Sequence, residues 1–331
     1  MSCDRIGILV LSHGSPREEA NQGFVAMVER IASRLGAADV LPAFFSIARP
    51  DIQDRVAELA GRGIRHIVVM PYFLYTGQHV SHDIPALLAE CRRQFPEVTL
   101  DLLPTLENDP AVEDVVVERL VPLVRSEGPL PVDGPSIERR SYEIIDRQMA
   151  GWQIEPPGAS RILRRILHAT ADVSFARTLR VHPLAVQRGR AALAAGRPVF
   201  CDVKMLQAGL TRVPGETFSA IDHDEVIQAA RVKGCTRAAA AMELFGPRLE
   251  GAIVAIGNAP TALWKILEMA RAGGPRPALV VGLPVGLVGA REAKLALMES
   301  DLCYVSNVGP RGGSPVAAAA VNAIATLSEE K

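Results

Sequence analysis

The sequence predicts an α/β protein of two domains, each a largely parallel sheet flanked by helices. Three observations carry that prediction. The chain has 331 residues, more than one hydrophobic core usually supports. Short apolar runs of strand length alternate with amphipathic helical patterns along most of it. One segment, SEGPLPVDGPS over 126–136, holds three prolines and two glycines with no hydrophobic period, which is the composition of a linker. The expected organisation is a first domain over 1–125, a linker over 126–136 and a second domain over 137–331.

In the first domain, IGILVL from Ile6 to Leu11 is a continuous apolar run of strand length. A helical pattern follows, with Phe24, Val28, Ile31 and Leu35 on one face. VLPAFF, ending at Phe45, reads as a second strand ahead of a helix carrying Ile52, Val56 and Leu59. A third strand around Ile67 to Met70 precedes a helix with Ile84, Leu87, Leu88 and Cys91, and His66 falls in that strand at a position expected to be buried. Val98 to Leu103 and a helix beginning near Asp109 complete a fourth unit. Such alternation implies parallel strands, right-handed crossovers and helices on both faces. Beyond the linker, two helical patterns, Ser141 to Met149 and Ser160 to Ala169, come first. Strands and helices then alternate through GAIVAIGNAP, PALVVGLP and CYVSN to a terminal alanine-rich helix.

Composition narrows the partners. Thirty-six basic and 37 acidic residues leave a formal net charge of -1, which supplies no broad field for nucleic acid or an anionic membrane. Aromatic content of 5% argues against platforms for stacking bases. An uncharged apolar stretch of the C-terminal half, between Arg276 and Arg291, is broken by Pro277, Gly282, Pro284, Gly286 and Gly289. It is shorter than the about 20 apolar residues that span a bilayer. The N-terminus enters its first strand-like run with no net basic flank, Arg5 being offset by Asp4, and no small-residue cleavage site. Cys3, Cys91, Cys201, Cys235 and Cys303 are odd in number and scattered, so neither a disulfide framework nor a thiolate zinc site is expected. A cytoplasmic protein with no nucleic-acid or membrane partner is the expectation.

His13 in SHGS directly follows the first strand, and His79 in GQHVSHDIP lies in the loop after the third. In an open α/β sheet, ligands bind beyond the carboxyl ends of the strands where strand order reverses. If the first and third strands are neighbours, both imidazoles meet at that crevice. Neutral imidazole suits borderline divalent metals, and a site that hands its metal on needs few protein ligands and open positions. ILVLSHGS and VVMPYFLYTGQHVSHDIP resemble the short sirohydrochlorin cobaltochelatase family over nearly the whole first domain. The resemblance implies that His13 and His79 bind the metal, divalent cobalt as a substrate, and assist removal of the pyrrole protons. Where relatives commonly carry an acidic residue after the second strand motif, AFFS places Ser46. A carboxylate there would accept protons or attract the cation, and a serine hydroxyl does neither well. A second reading therefore makes this domain a tetrapyrrole-binding module without catalysis. His82, three residues past His79, is read as a solvent-facing residue.

In the second domain, small and polar residues gather at three strand-to-helix junctions: GNAPTAL from Gly257, GLPVGLVGA from Gly282 and RGGSP from Arg311. Glycine lets backbone approach a ligand, and helix N-termini present unpaired N–H groups that favour carboxylates. None of the junctions is a dinucleotide fingerprint or a P-loop. His168 ends the apolar pattern within RILRRILHATAD, at the edge of a face made by Ile162, Leu163, Ile166 and Leu167. ILHATAD, CDVKM, LTR, TRAAAA, GAIVAIGNAPTAL, GLPVGLVGAREAK and RGGSP occur in the order seen in the precorrin-8X methylmutase family. That resemblance covers essentially all of the chain after the linker. It implies a shift of the ring-C methyl of a corrin precursor from carbon 11 to carbon 12, without redox cofactor or methyl donor, in a homodimer joined through this domain. His168 matches the family's acid. Ser141, Lys204, Thr211, Arg212, Arg237 and Arg311, Gly312, Gly313 and Ser314 are implied to hold the acetate and propionate arms, with Asn258 and Thr261 added on their loop position. The whole chain then reads as a bifunctional enzyme of corrin-ring biosynthesis acting on tetrapyrrole substrates.

Overall fold

A computed structural model of the chain describes residues 5–120, 123, 132–149, 152 and 154–327, with the side chains of His79 and Pro110 outside the described residues. The chain divides into two compact units, Met1–Glu127 and Gly128–Lys331. Among the described residues no helix is long and apolar enough to cross a membrane.

The first unit runs β1 (Ile6–Ser12), α1 (Glu18–Leu35), β2 (Val40–Phe44), α2 (Ile52–Gly61), β3 (His66–Pro71), a π-helical turn (His79–Asp83) leading into α3 (Ile84–Gln94), β4 (Thr99–Leu102) and α4 (Pro110–Leu120). Its four strands are parallel in the order β2-β1-β3-β4. The chain leaves β1 toward one edge and crosses back to β3 on the other side, so strand order reverses between β1 and β3. Period-two alternation splits β1 between two cores. Leu9 and Leu11 pack with Ile52, Val56, Ile84 and Leu88 of α2 and α3, while Val10 packs with Val28 of α1 and Val40. Leu35 does not join that face. It is 60% exposed, because α1 ends there at a left-handed Gly36 (φ 62°). His66 is not in the core either. As the first residue of β3 it is part-exposed and bonds Asp101 of β4 at 2.7 Å.

The second unit opens with α5 (Gly134–Gln148) and α6 (Ala159–Thr170). The expected linker is thus too long at its C-terminal end: Gly134, Pro135 and Ser136 already form the first helical turn. Asp133 caps that turn by accepting from the Ser136 N–H at 2.9 Å, and proline near a helix start costs no hydrogen bond. Residues 126–131 of the expected linker lie outside the described residues. There follow α7 (Phe175–Thr178), β5 (Leu179–Val181), α8 (Ala185–Ala194), β6 (Val199–Cys201), α9 (Lys204–Ala208), β7 (Thr217–Phe218), α10 (Asp224–Lys233), α11 (Arg237–Phe245), β8 (Ile253–Ile256), α12 (Pro260–Arg271), β9 (Leu279–Gly282), α13 (Ala290–Met298), β10 (Tyr304–Asn307) and α14 (Ser314–Thr326). The sheet order is β5-β10-β9-β8-β6-β7, parallel except for β5 at the edge. Both sheets match the expected largely parallel class, and the second reverses its order between β6 and β8.

One face of this sheet carries α6, α8 and α14, with Ile162, Ile166, Ala317, Ala320 and Val321 in a common core. The other carries α10 to α13, with Val226, Ala241, Leu263 and Leu297. The alanines of α14 are small enough to let α6 approach closely, and that contact fixes the helix that carries His168.

Candidate active site

The stripe Ile162, Leu163, Ile166 and Leu167 is almost fully buried, and His168 is the next residue, half-buried at the stripe's edge. Ser141 of α5 meets it, with Oγ and His168 Nδ1 hydrogen-bonded at 2.8 Å. The Tyr142 ring stacks on the imidazole at 4.7 Å between centroids. With Nδ1 engaged by the serine, Nε2 is the nitrogen that can exchange a proton with a ligand. Ile137, Ser141, Ile144, Leu167, His168 and Val173 line a cavity of about 550 Å³, mostly apolar around this polar pair. Such a lining strengthens any hydrogen bond formed within it.

At the carboxyl edge of the sheet the junction loops are tied together by buried polar groups. Asp202, directly after β6, is fully buried and accepts from the N–H groups of Gly257, Asn258 and Ala259 at 3.2, 2.7 and 2.7 Å. Burial pushes its carboxyl above the ordinary aspartate range, and the three N–H groups pull the other way. Lys294 of α13 is also fully buried and donates to Asn307 Oδ1 at 3.0 Å and to the Arg311 carbonyl at 2.5 Å. With no carboxylate beside it, burial pulls its amine down to about 8. Gly312 allows a close crossing, since a Cβ there would lie 2.3 Å from the Leu283 carbonyl oxygen.

The expected contact residues fall into separate groups. Thr261 bonds Thr236 through their hydroxyls at 2.7 Å, which joins the start of α11, where Arg237 stands, to the start of α12. Arg237 is exposed, and no ion pair forms on it among the described residues. Arg311, by contrast, is engaged: its guanidinium bonds both Asp172 oxygens at 3.1 Å and also the Ser174 hydroxyl. This ties the RGGSP turn, with Gly312, Gly313 and Ser314, to the end of α6 just past His168. Lys204 is paired with Asp222. Thr211 and Arg212 are exposed beside α14, where the Arg212 N–H donates to Asn322 Oδ1 at 3.0 Å.

Asp202, Lys294, Asp172 and Tyr142 are structural members of the site that sequence reasoning passed over. Lys294 had a readable signal: with Ala290, Ala293 and Leu297 it occupies one helical face, where a lysine among alanines needs a buried acceptor.

In the first unit, His13 follows β1 at the reversal point, half-buried, with its ring 5.9 Å from that of Phe45. The Ser46 N–H donates to the His13 carbonyl at 3.1 Å, so the departure from the acidic pattern abuts the histidine. His79 begins the π-helical turn after β3, but its side chain lies outside the described residues, and so does its expected meeting with His13. His82 is exposed and bonds the Ser81 hydroxyl at 2.8 Å. No group of three or more His, Cys, Asp or Glu able to hold a metal occurs among the described residues.

Comparison with known proteins assigns each unit a relative. Residues 136–327 match the family model described as precorrin-8X methylmutase, and residues 7–123 match the CbiX model. A precorrin-8X methylmutase of Pseudomonas aeruginosa is 43% identical over 203 residues, covering 60% of this chain and 97% of that protein. A cobalt-precorrin-8 methylmutase of Leptospira interrogans is 36% identical, covering 60% of this chain and 96% of that protein. Among solved structures, a precorrin-8X methylmutase from Thermus thermophilus is 40% identical with a TM-score of 0.53, covering 58% of this chain and 95% of that one.

Proposed function

The chain belongs to the precorrin-8X methylmutase family, and from that premise we propose that its second unit moves the ring-C methyl of precorrin-8, or of its cobalt form, from carbon 11 to carbon 12 in cobalamin biosynthesis. The observation that carries the reading is the His168–Ser141 pair in a largely apolar cavity, within a stretch matched to the family over almost its whole length. The reaction is an isomerisation. The methyl–C11 bond breaks as the methyl–C12 bond forms, so no methyl donor or electron carrier enters the balance. What the protein supplies is position and a proton. His168 acts as acid through Nε2, with Ser141 on Nδ1 fixing the ring, so that positive charge is placed on the conjugated macrocycle while the methyl migrates, and Nε2 takes the proton back once the methyl is on carbon 12. Arg237, Asn258 and Thr261 at the paired helix starts hold carboxylate arms, with Thr211 and Arg212 as a second group. Gly312, Gly313 and Ser314 offer backbone N–H groups at the start of α14, with Lys294 and Asp172 holding the turn in place. Asp172 and Ser174 take only Nη1 of Arg311, so Arg311 meets substrate through its remaining donors while the pair holds its guanidinium in place. Lys204, paired with Asp222, keeps two further ammonium donors.

For the first unit the reading is metal insertion into sirohydrochlorin, with divalent cobalt as the substrate ion and two pyrrole protons released. His13 and His79 are the residues that would receive the metal and the protons. Ser46 beside His13 supports a second reading, a tetrapyrrole-binding module that holds or delivers the ring without inserting metal.

The exposed apolar loop before α13, with Leu287 at 94% and Val288 at 89% exposure, supports a homodimer joined through the second unit. Free Cys91, Cys201, Cys235 and Cys303 suit a reducing, cytoplasmic setting. One experiment addresses both activities. The absorption spectrum is followed after adding sirohydrochlorin with cobalt, and separately after adding precorrin-8. Conversion to the hydrogenobyrinate spectrum is expected in the second case, and an unchanged spectrum there would remove the methylmutase reading.

A further inference from the structure

We propose that Tyr142 is a positioning residue for the methyl shift: its ring sets the plane in which the His168 imidazole lies, and Arg164 and Arg165 fix that ring from outside the cavity. The inference rests on the methylmutase reading and adds to it the group that aims the acid.

A hydrogen bond to one nitrogen does not orient a ring by itself. The χ2 torsion of histidine has a broad profile, and hydrogen bonds tolerate a spread of angles. Ser141 Oγ, 2.8 Å from Nδ1, therefore fixes one point of the imidazole and leaves the ring free to tilt about it. Tyr142 supplies the missing constraint. Its ring centroid lies 4.7 Å from that of His168 with 25° between the planes, so the two rings stack. Ser141 and Tyr142 are consecutive residues of α5, and one helix thus holds the acid by an edge and by a face. Tyr142 is not among the described residues that line the His168 cavity, so its influence on the substrate runs through the imidazole. Misplacing an acid by about 1 Å is enough to cost about a hundredfold in rate.

The second argument is what holds Tyr142 itself. Glu138, Tyr142 and Asp146 follow one another at four-residue spacing and form one column on α5, facing Arg164, Arg165 and His168 of α6. Arg165 Nη1 donates to the Tyr142 hydroxyl at 2.6 Å and to Glu138 Oε1 at 2.9 Å. The Arg164 guanidinium carbon lies 4.0 Å from the Tyr142 ring centroid. Nε and Nη2 of Arg164 donate to the two Asp146 oxygens at 2.6 and 2.8 Å. A single exposed ion pair adds little stability, but a bidentate one fixes the plane of the guanidinium. The tyrosine is held at its hydroxyl and over its ring by arginines that are themselves paired, which makes orientation the service these ion pairs perform.

The test measures kcat and KM for precorrin-8 and the affinity for hydrogenobyrinic acid on the full chain. Tyr142→Met fills similar space without a plane, and is expected to lower kcat by about 10- to 100-fold with KM and product affinity within about twofold. Tyr142→Phe restores the plane and should return kcat to within about threefold of the unmodified protein. On a His168→Ala background, Tyr142→Met should take nothing more from the residual rate, since the ring it aims is gone. By NMR the His168 ring-proton signals, identified by their loss in His168→Ala, should lie upfield in the unmodified protein and in Tyr142→Phe, displaced by the neighbouring aromatic ring. That readout stands even if Tyr142→Met does not fold. Equal kcat in Tyr142→Met and the unmodified protein, a loss confined to KM, a further loss on the His168→Ala background, or His168 signals without the upfield displacement each overturn the positioning role and leave the methylmutase reading intact. No conversion of precorrin-8 by the unmodified protein overturns both.

Discussion

Ser141 Oγ lies within hydrogen-bonding distance of His168 Nδ1, at 2.8 Å, and the two residues stand on different helices 27 positions apart in the chain. The pair gives the imidazole one orientation and leaves one nitrogen for chemistry. His168→Ala is expected to lower methyl migration by about 10²- to 10⁴-fold, the range for loss of a positioned acid, while corrinoid acid still binds. Ser141→Ala keeps the acid but frees the ring, so its smaller loss should fall in kcat and not in KM. Near-normal single-turnover rates in His168→Ala would falsify the assignment.

The proposed metal insertion and the methyl migration are assigned to different compact units, so they should separate by mutation. His13→Ala is expected to abolish cobalt insertion into sirohydrochlorin, read from its absorption spectrum, with methyl migration unchanged. If the unmodified protein inserts cobalt no faster than metal and ring mixed alone, the binding-module reading replaces the chelatase reading. Ser46→Glu then becomes the variant in which insertion should appear.

Arg237 is exposed at the start of α11 and is a candidate carboxylate clamp with no ion pair among the described residues. Arg237→Met keeps the aliphatic length and loses the donors, and should weaken hydrogenobyrinic acid binding by roughly 1.5 to 3 kcal/mol. The loss should shrink for a ligand whose facing carboxylates are amidated. Equal losses for acid and amide in the same salt would show that Arg237 serves the fold.

Lys294 makes stability depend on pH in a stated direction. Burial lowers its folded-state pKa to about 8 against an ordinary 10.5, so between those values the unfolded chain holds more protons and stability rises with pH. Below pH about 8 the protein carries the cost of a buried ammonium, up to about 3 kcal/mol. Denaturant unfolding of the protein and of Lys294→Met is compared at pH 7 and pH 9.5. The advantage of the lysine over methionine should grow at the higher pH, and a constant or shrinking advantage rejects this account. The same substitution removes the donor to the Arg311 carbonyl and should lower turnover by loosening the RGGSP turn.

Most of the first unit was legible because its strands are continuous apolar runs and its helices carry one apolar stripe each, signals that need only local spacing. The reversal of strand order between β1 and β3 depends on which strands pair, and local spacing does not specify that. β5, β6 and β7, two or three residues each, were not read, since a strand that short has no period to detect. The helix at Gly134 was hidden for a different reason: proline and glycine at a capped helix start have the same composition as a linker.

At the site, the sequence by itself determined the residue types and their order, including His168 at the edge of a buried stripe and the small-residue junctions at strand ends. Which of them work together was decided only by tertiary structure. Arg237 and Arg311 look alike in sequence, yet Asp172, 139 positions away from Arg311, neutralises one and not the other. Asp202 and Lys294 read as ordinary charged residues until the sheet buries them against backbone groups from distant loops. The physical reason is that hydrogen bonding and charge neutralisation act over about 3 Å in space, and nothing in local spacing specifies which distant groups the packed sheet brings that close.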